Sequence, residues 1–353
     1  MDRINIIKKI HECFVNDCGH EISDTNLIPL YDTNTFFKLP KINLDPTILS
    51  KKINIKYIAN GSNGIVVSAE IKNYKFAIKI LPNLDDDHGD VDDLRRPENV
   101  QMRIMKLLIP VIINNTPHIV LPIMMWHHDT NILYNILKQD KQIKEYYKEC
   151  EYEYDLQQIT TIFAMEYYDI TLSDYLKLNH ESMSIDHWKV IIFQVLFTLA
   201  AIQDKFPTFR HNDLTRNNVM MKYSEISKHI KYEICNNKYE MCDMGIDTKI
   251  CDFDFSSIEG VINNNKVNQE WTDIYHINSS SNKYVDMHLF LHTLLNVEIE
   301  YEIPDEIIEF GKRVMPDNIT IMFNRIDSQC EHTTPLEVIN SDPLFADYLL
   351  KKN

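Results

Sequence analysis

Residues 211–218 read His-Asn-Asp-Leu-Thr-Arg-Asn-Asn and lie between a long apolar run and a short strand-like one. The run before them, Asp186 to Asp204, reads as a long, strongly apolar helix. The one after, Val219-Met220-Met221-Lys222, reads as a strand. A second strand, Thr248-Lys249-Ile250-Cys251, leads directly into Asp252-Phe253-Asp254. Polar groups delivered by one helix and two strands constrain the chain more tightly than its composition does. An Asn- and Asp-rich turn is common. Such a turn does not account for His211 ahead of it, the strand behind it, or the second acid downstream.

This arrangement resembles the protein-kinase superfamily, whose catalytic loop is H-R-D-L-x-x-x-N and whose next hairpin carries D-F-G. The resemblance implies that Asp213 accepts the proton of an acceptor hydroxyl, and that Asn218 and Asp252 are oxygen ligands of Mg²⁺. Three residues depart from the pattern. Asn212 stands where many kinases carry an Arg that pairs with an activation-loop phosphate, so that form of switching is not expected. Thr215 stands where a Lys helps neutralise the transferred group; Arg216 beside it is either its catalytic replacement or a solvated loop residue. Asp254 in place of Gly removes backbone freedom and is expected to fix the loop in one state.

Upstream, Ile53 to Ile58, Ile65 to Ile71 and Lys75 to Leu81 read as three strands, with Gly61-Ser62-Asn63-Gly64 at the first turn. The glycine-loop pattern G-x-G-x-x-G-x-V maps onto Ala59, Gly61, Gly64 and Val66, which makes these and the intervening Ser62 and Asn63 candidate ATP-binding residues. An ordinary hairpin is the alternative. Phe76-Ala77-Ile78-Lys79 resembles V-A-I-K, which implies that Ala77 lines the nucleotide and Lys79 pairs with its phosphates. The side chain that partners Lys79 is either Gln101, in the best-matching register, or Glu98, one turn earlier. Glu98 reads equally well as a first-turn acid favoured by the helix dipole. Phe163-Ala164-Met165-Glu166-Tyr167-Tyr168 resembles the adenine-contacting hinge, through Met165, Glu166 and Tyr167; a buried edge strand would carry the same residues.

The expected fold class is α+β, a bilobal protein-kinase-like fold with a β-rich N-lobe and a mostly helical, trimmed C-lobe. The expected divisions are an extension at 1–50, an N-lobe at 51–166 and a C-lobe at 167–353. Within the extension, Ile4, Ile7, Ile10 and Phe14 suggest a short amphipathic helix packed on the first lobe. Further helices are expected from Pro97, over Tyr284–Leu295, Pro304–Val314 and Thr334–Leu349, and strands over His118–Ile123 and Thr160–Tyr167. The long spacer after the catalytic loop is expected to hold a hairpin within Tyr232–Met241. Asp286 resembles the acid that braces the catalytic-loop backbone, and no Ala-Pro-Glu motif precedes it. Such divergence is similar to that of atypical kinases, haspin-like ones among them, and kinase-like proteins of large DNA viruses. The resemblance spans roughly residues 53–295.

The formal charge of −16 opposes non-specific binding to nucleic acid or anionic membranes. Seven scattered cysteines without a C-x-x-C pair point to reduced thiols in a reducing, cytoplasmic compartment, which for a viral protein means host cytoplasm or virion. No signal peptide and no apolar stretch of bilayer-spanning length are read. Trp126-His127-His128-Asp129 does not read as a metal site, and the acidic run 85–93 reads as a solvated face. The expected function is transfer of the γ-phosphate of ATP, with Mg²⁺, to Ser or Thr of a protein substrate by a monomer. The alternatives are a pseudokinase scaffold that binds nucleotide and a kinase of a small molecule.

Overall fold

The computed structural model describes residues 2–18, 53–61, 64–84, 92–153, 156–267, 277–295, 301–315 and 332–350. It is α+β, its sheets antiparallel. Two compact units divide the chain, one of residues 1–107 with 121–167 and one of 108–120 with 168–353.

The first unit begins with α1 (Asp2–Cys18), whose Ile7, Ile10 and Cys13 are buried as the apolar spacing requires. Strands β1 (Asn54–Gly61), β2 (Gly64–Ile71) and β3 (Tyr74–Leu84) form the expected meander. In β2, Ile65, Val67, Ala69 and Ile71 are buried while Val66 and Ser68 are half-buried, the period-two pattern of a sheet with one core face. Pro97 opens α2 (Pro97–Asn114), the position where a missing N–H costs nothing.

The strand expected over His118–Ile123 lies instead at β4 (Pro122–Asp129). Residues 118–120 are held by a different partner, Ile119 bridging Ile250, and the apolar run through Met124, Met125 and Trp126 takes the place in the sheet. Helices α3 (Thr130–Leu137) and α4 (Lys141–Glu153), not anticipated from the sequence, precede β5 (Leu156–Glu166). The sheet order is β1-β2-β3-β5-β4.

The second unit contains β6 (Ile170–Thr171), α5 (Leu172–Asn179), α6 (Ile185–Lys205), β7 (Phe209–Arg210), β8 (Val219–Tyr223), β9 (His229–Ile234), β10 (Asn237–Cys242), β11 (Ile246–Ile250) and β12 (Ser257–Ile258). Helices α7 (Val285–Leu295), α8 (Asp305–Val314) and α9 (Pro335–Ser341) follow. The last helix was expected to reach Leu349 but stops at Ser341. Pro343 cannot continue it, and Asp342 caps a new short turn by accepting from Leu344 N. The 118–120 segment belongs to this unit by its bonds. His118 faces the Thr248 carbonyl at 3.0 Å and the Tyr232 hydroxyl at 2.8 Å, and Val120 N donates to Ile250 O at 3.0 Å.

Helix α6 is 21 residues long with a mean hydropathy of 1.5 in its most apolar window, so the expectation that no stretch reaches spanning length does not hold. Its apolar character has another cause: 78% of that window is buried inside the structure. Among the described residues no other helix is long and apolar enough to cross a membrane. The described cysteines Cys13, Cys150, Cys235, Cys242 and Cys251 are unbridged, whereas Cys18 and Cys330 lie outside the residues whose side chains are described.

The inserted hairpin β9–β10 is fastened to α6 by aromatic contacts. Phe193 meets Tyr232, Tyr239, Phe345 and Tyr348 edge-on at ring distances of 5.5, 5.4, 5.7 and 5.2 Å. Phe193→Ala is expected to destabilise the chain by about 3–5 kcal/mol. Denaturant unfolding of the full chain checks this, with faster amide exchange in β9 and β10 as the local signature; a loss under 1 kcal/mol would contradict it.

Candidate active site

The loop after α6 is shaped by backbone bonds to one buried acid. His211 N and Asn212 N donate to the two Asp286 carboxylate oxygens at 2.7 and 2.9 Å, and Asp286 is 0% exposed. Two N–H groups on a carboxylate make a strong, charge-assisted pair. They are needed because Asn212 has φ +64°, a left-handed conformation that Asn tolerates better than most residues. His211 Nε2 faces the Cys251 carbonyl at 3.0 Å, and His211 Nδ1 lies 3.4 Å from Asp213 N. A ring that donates from Nε2 and accepts at Nδ1 satisfies both.

Asp213 and Asn218 are brought together. Asn218 Nδ2 donates to the Asp213 main-chain oxygen at 2.7 Å and to its carboxylate at 2.8 Å. Two acceptors on the amide nitrogen fix the amide orientation, so Oδ1 is the atom left over for a cation. Asp252 is brought to the same place by the β8–β11 ladder, in which Val219 opposes Ile250. One residue further, Cys251 N donates to Asn218 O at 3.0 Å. Asp252 itself has φ +62°, unusual for a residue with a side chain. A neutral amide oxygen and a carboxylate suit a hard cation that takes only oxygen ligands, so these residues fit Mg²⁺.

Arg216 goes elsewhere. Its guanidinium donates to the Thr293 carbonyl at 2.8 Å and the Tyr301 hydroxyl at 3.1 Å. That contact ties the loop to the end of α7. From the sequence Arg216 is open as a catalytic replacement for Lys or a solvated loop residue; these bonds give it a third role, holding the loop.

In the first unit, strand register gathers several nucleotide-binding candidates on one face. Ala59 opposes Val66, Val66 opposes Lys79, and Ala77 opposes Met165. Directly opposed residues and residues two apart share a face, so Ala59, Val66, Ala77, Lys79 and Met165 lie together opposite the core face. Gly61 opposes Gly64 at the turn. A Cβ on Gly64 would overlap the Ile80 carbonyl, which gives that glycine a steric reason. Ser62 and Asn63 lie outside the described residues. Glu98 forms its ion pair with Arg96 at 3.1 Å, while Gln101 is buried and its Nε2 has no hydrogen-bond partner among the described residues.

Glu166 is tied by its side chain rather than left open. Its carboxylate takes both Arg3 Nε at 2.7 Å and Arg3 Nη2 at 2.5 Å, and accepts from Leu121 N at 2.7 Å. Tyr167 lies under Lys75, whose Nζ is 3.6 Å from the ring centre. The Arg3 contact carries no sequence signal, since it joins residues 163 positions apart. Among the described residues, no group of three or more His, Cys, Asp or Glu side chains is placed to hold a metal ion, and His127 and His128 belong to none.

Helix α7, which carries Asp286, also carries His288 and His292, whose rings lie 5.7 Å apart and tilted by 39°. Burial first, then His292 and His332, push the His288 pKa down to about 4. A His held neutral in the fold contributes stability that is complete above its ordinary value near 6.5 and is lost as pH falls towards 4. Between pH 7.5 and 4.5 this group is expected to withdraw about 2 kcal/mol. Unfolding free energies at both pH values, compared with His288→Leu, check it; equal pH dependence in the two proteins would refute the assignment.

Comparison with known proteins places the chain in a family. Residues 135–332 match the family described as poxvirus serine/threonine protein kinase. A protein of Acanthamoeba polyphaga mimivirus provisionally named a serine/threonine-protein kinase is 36% identical over 353 residues, covering 90% of this chain and 75% of its own. A second such mimivirus protein is 32% identical over 99 residues, 26% of this chain and 25% of its own. The serine/threonine-protein kinase 2 of monkeypox virus is 31% identical over 170 residues, 45% of this chain and 34% of its own. The resemblance to kinase-like proteins of large DNA viruses is therefore borne out, and the chain belongs to the poxvirus serine/threonine protein kinase family.

Proposed function

We propose that this protein is an ATP- and Mg²⁺-dependent kinase that moves the γ-phosphoryl group of ATP to a Ser or Thr hydroxyl of a protein. The two-lobed kinase organisation expected from the sequence, and a reducing, cytoplasmic location in host or virion, are part of this reading. The observation that carries it is the Asn218 amide, whose nitrogen is committed to Asp213 and whose oxygen is left for a cation next to the Asp252 segment.

Bound Mg²⁺ would neutralise charge on the phosphates. Asn218 Oδ1 and the Asp252 carboxylate would hold it. The Asp213 carboxylate orients the acceptor hydroxyl and takes its proton as oxygen bonds to the γ-phosphorus and the bond to the β–γ bridging oxygen breaks. Lys79 is assigned to the α- and β-phosphates, Met165 and the Glu166–Tyr167 backbone to the adenine, and the Gly61–Gly64 turn to the phosphates. Asp213→Ala is expected to lower γ-phosphate transfer to protein by about 10²- to 10⁴-fold. Radiolabel transfer, with an unchanged melting temperature as the control, checks this; wild-type transfer by the folded variant would refute the role.

Gln101 favours a second reading, a scaffold that binds nucleotide without turnover. In the best-matching register, a buried amide whose Nε2 has no hydrogen-bond partner among the described residues stands where a carboxylate would pair with Lys79. Against this stand the intact Lys79, Asp213, Asn218 and Asp252, since catalysis of phosphoryl transfer is largely positioning and charge stabilisation. Thermal shift with ATP, with and without Mg²⁺, separates the cases. A shift with no turnover supports the scaffold, and no shift at all contradicts both.

A further inference from the structure

The segment that follows Asp252 is fastened by a buried ion pair that the proposed chemistry does not use. Lys266 Nζ lies 2.7 Å from the Asp254 carboxylate, and the two side chains are 7% and 12% exposed. The same ammonium sits 3.6 Å from the centre of the Phe255 ring. Asn264, itself 1% exposed, donates its amide nitrogen to Asp254 O at 2.7 Å and to Ser256 O at 2.9 Å. Its amide oxygen accepts from Lys266 N at 3.0 Å, so the clip closes on itself.

The other edge of the segment is sewn to the catalytic loop. Asn212 Nδ2 donates to Phe255 O at 3.0 Å, and Ser256 Oγ to His211 O at 3.3 Å. Ser257 and Ile258 pair with Arg210 and Phe209 in the β7–β12 ribbon. Residues 253–258 are thus held from both sides, and Phe253 is fully buried. Asp252, immediately before them, keeps the left-handed φ of +62°. Such a conformation costs about 1–3 kcal/mol and persists only where its surroundings over-determine it.

We propose that Lys266 is a positioning residue: through its buried ion pair with Asp254 it holds the 253–256 backbone, and thereby Asp252, in the conformation required of a cation ligand. Asp254 is then a functional substitution for the usual glycine. The flexibility given up at that position is replaced by a charge-paired anchor. Loss of Lys266 alone leaves the Asp254 carboxylate buried and uncompensated, which is costly to the fold. Replacing both partners removes the charge as well as the clip, so Asp254→Asn/Lys266→Met is the variant of choice beside Lys266→Met.

The proposal rests on the kinase reading for the use made of Asp252, but its first test needs no turnover. Hydrogen exchange of the nucleotide-free full chain is expected to be about tenfold or more faster over 252–257 in both variants, with β9 and β10 unchanged. Unchanged exchange over 252–257 in a folded variant would overturn the proposal. The second test is the Mg²⁺ concentration that half-saturates the ATP-dependent thermal shift. Residues that orient a metal ligand typically contribute 10- to 100-fold in affinity or activity, and a rise of about that size is expected. A half-saturation equal to wild type would also overturn it. A wild-type chain that shows the Mg²⁺-dependent shift but transfers no phosphate defeats the transfer reading alone, and both tests still decide the role of Lys266.

Discussion

The buried Asp286 carboxylate is the interaction on which the rest of the site depends. It receives two consecutive backbone N–H groups, His211 and Asn212, in a place closed to water. Without it those donors would be orphaned in the interior, each at a cost of about 1–3 kcal/mol. With it, the chain can leave α6, turn through a left-handed Asn212 and present Asp213 half-exposed. Arg216 fixes the far side of the same loop to Thr293 and Tyr301. Both ends of the loop are therefore referenced to one helix, α7.

Two residues with side chains, Asn212 and Asp252, adopt positive φ within this small region. Strain of that kind is stable only against a rigid frame, and the frame is identifiable. Helix α6 supplies a nearly continuous buried surface, and Gln194 donates to Ile246 O while accepting from Thr248 N, locking β11 to it. Strand β11 then fixes β8 by five consecutive pairs, and the pair beyond them is the Cys251 to Asn218 bond. A sequence of polar anchors on an apolar helix carries precision from the core to the loop. Packing alone, being non-directional, would not set the register of Asn218 against Asp252.

Much of this was legible in the sequence because it is local. Apolar alternation marks β2 and β3, and the spacing after His211 marks the loop, whatever the rest of the chain does. What stayed hidden depends on distant partners. The expected strand start at His118 fails because residues 119 and 120 pair with Ile250, more than a hundred positions away. Arg216 was readable as a free cation until the residues near position 300 claimed it. Lys266 sits beside the Asn263–Asn265 run, where composition suggests nothing but loop, and its role follows only from where Asp254 is buried. The apolar run before His211 was legible as a helix, and it is composed like a membrane span because it is enclosed by protein on most sides.

The departures from the usual kinase pattern share one direction. The oxygen donors are kept, in Asp213, Asn218 and Asp252, while the cations and the partner acid around them are reassigned. Arg216 is spent on Thr293 and Tyr301, Lys266 on Asp254, and Glu98 on Arg96. In a low-dielectric site a charge used for fastening is not available to stabilise developing negative charge elsewhere. On the proposed chemistry, neutralisation of the transferred phosphoryl group then falls more heavily on the metal and on Lys79. A site so arranged gains a fixed geometry from its own ion pairs and, on the same proposal, would depend correspondingly on a bound cation. On that reading the retained residues are those assigned to the base, the cation and the phosphates, while the altered Asn212 and Asp254 hold the loop around them.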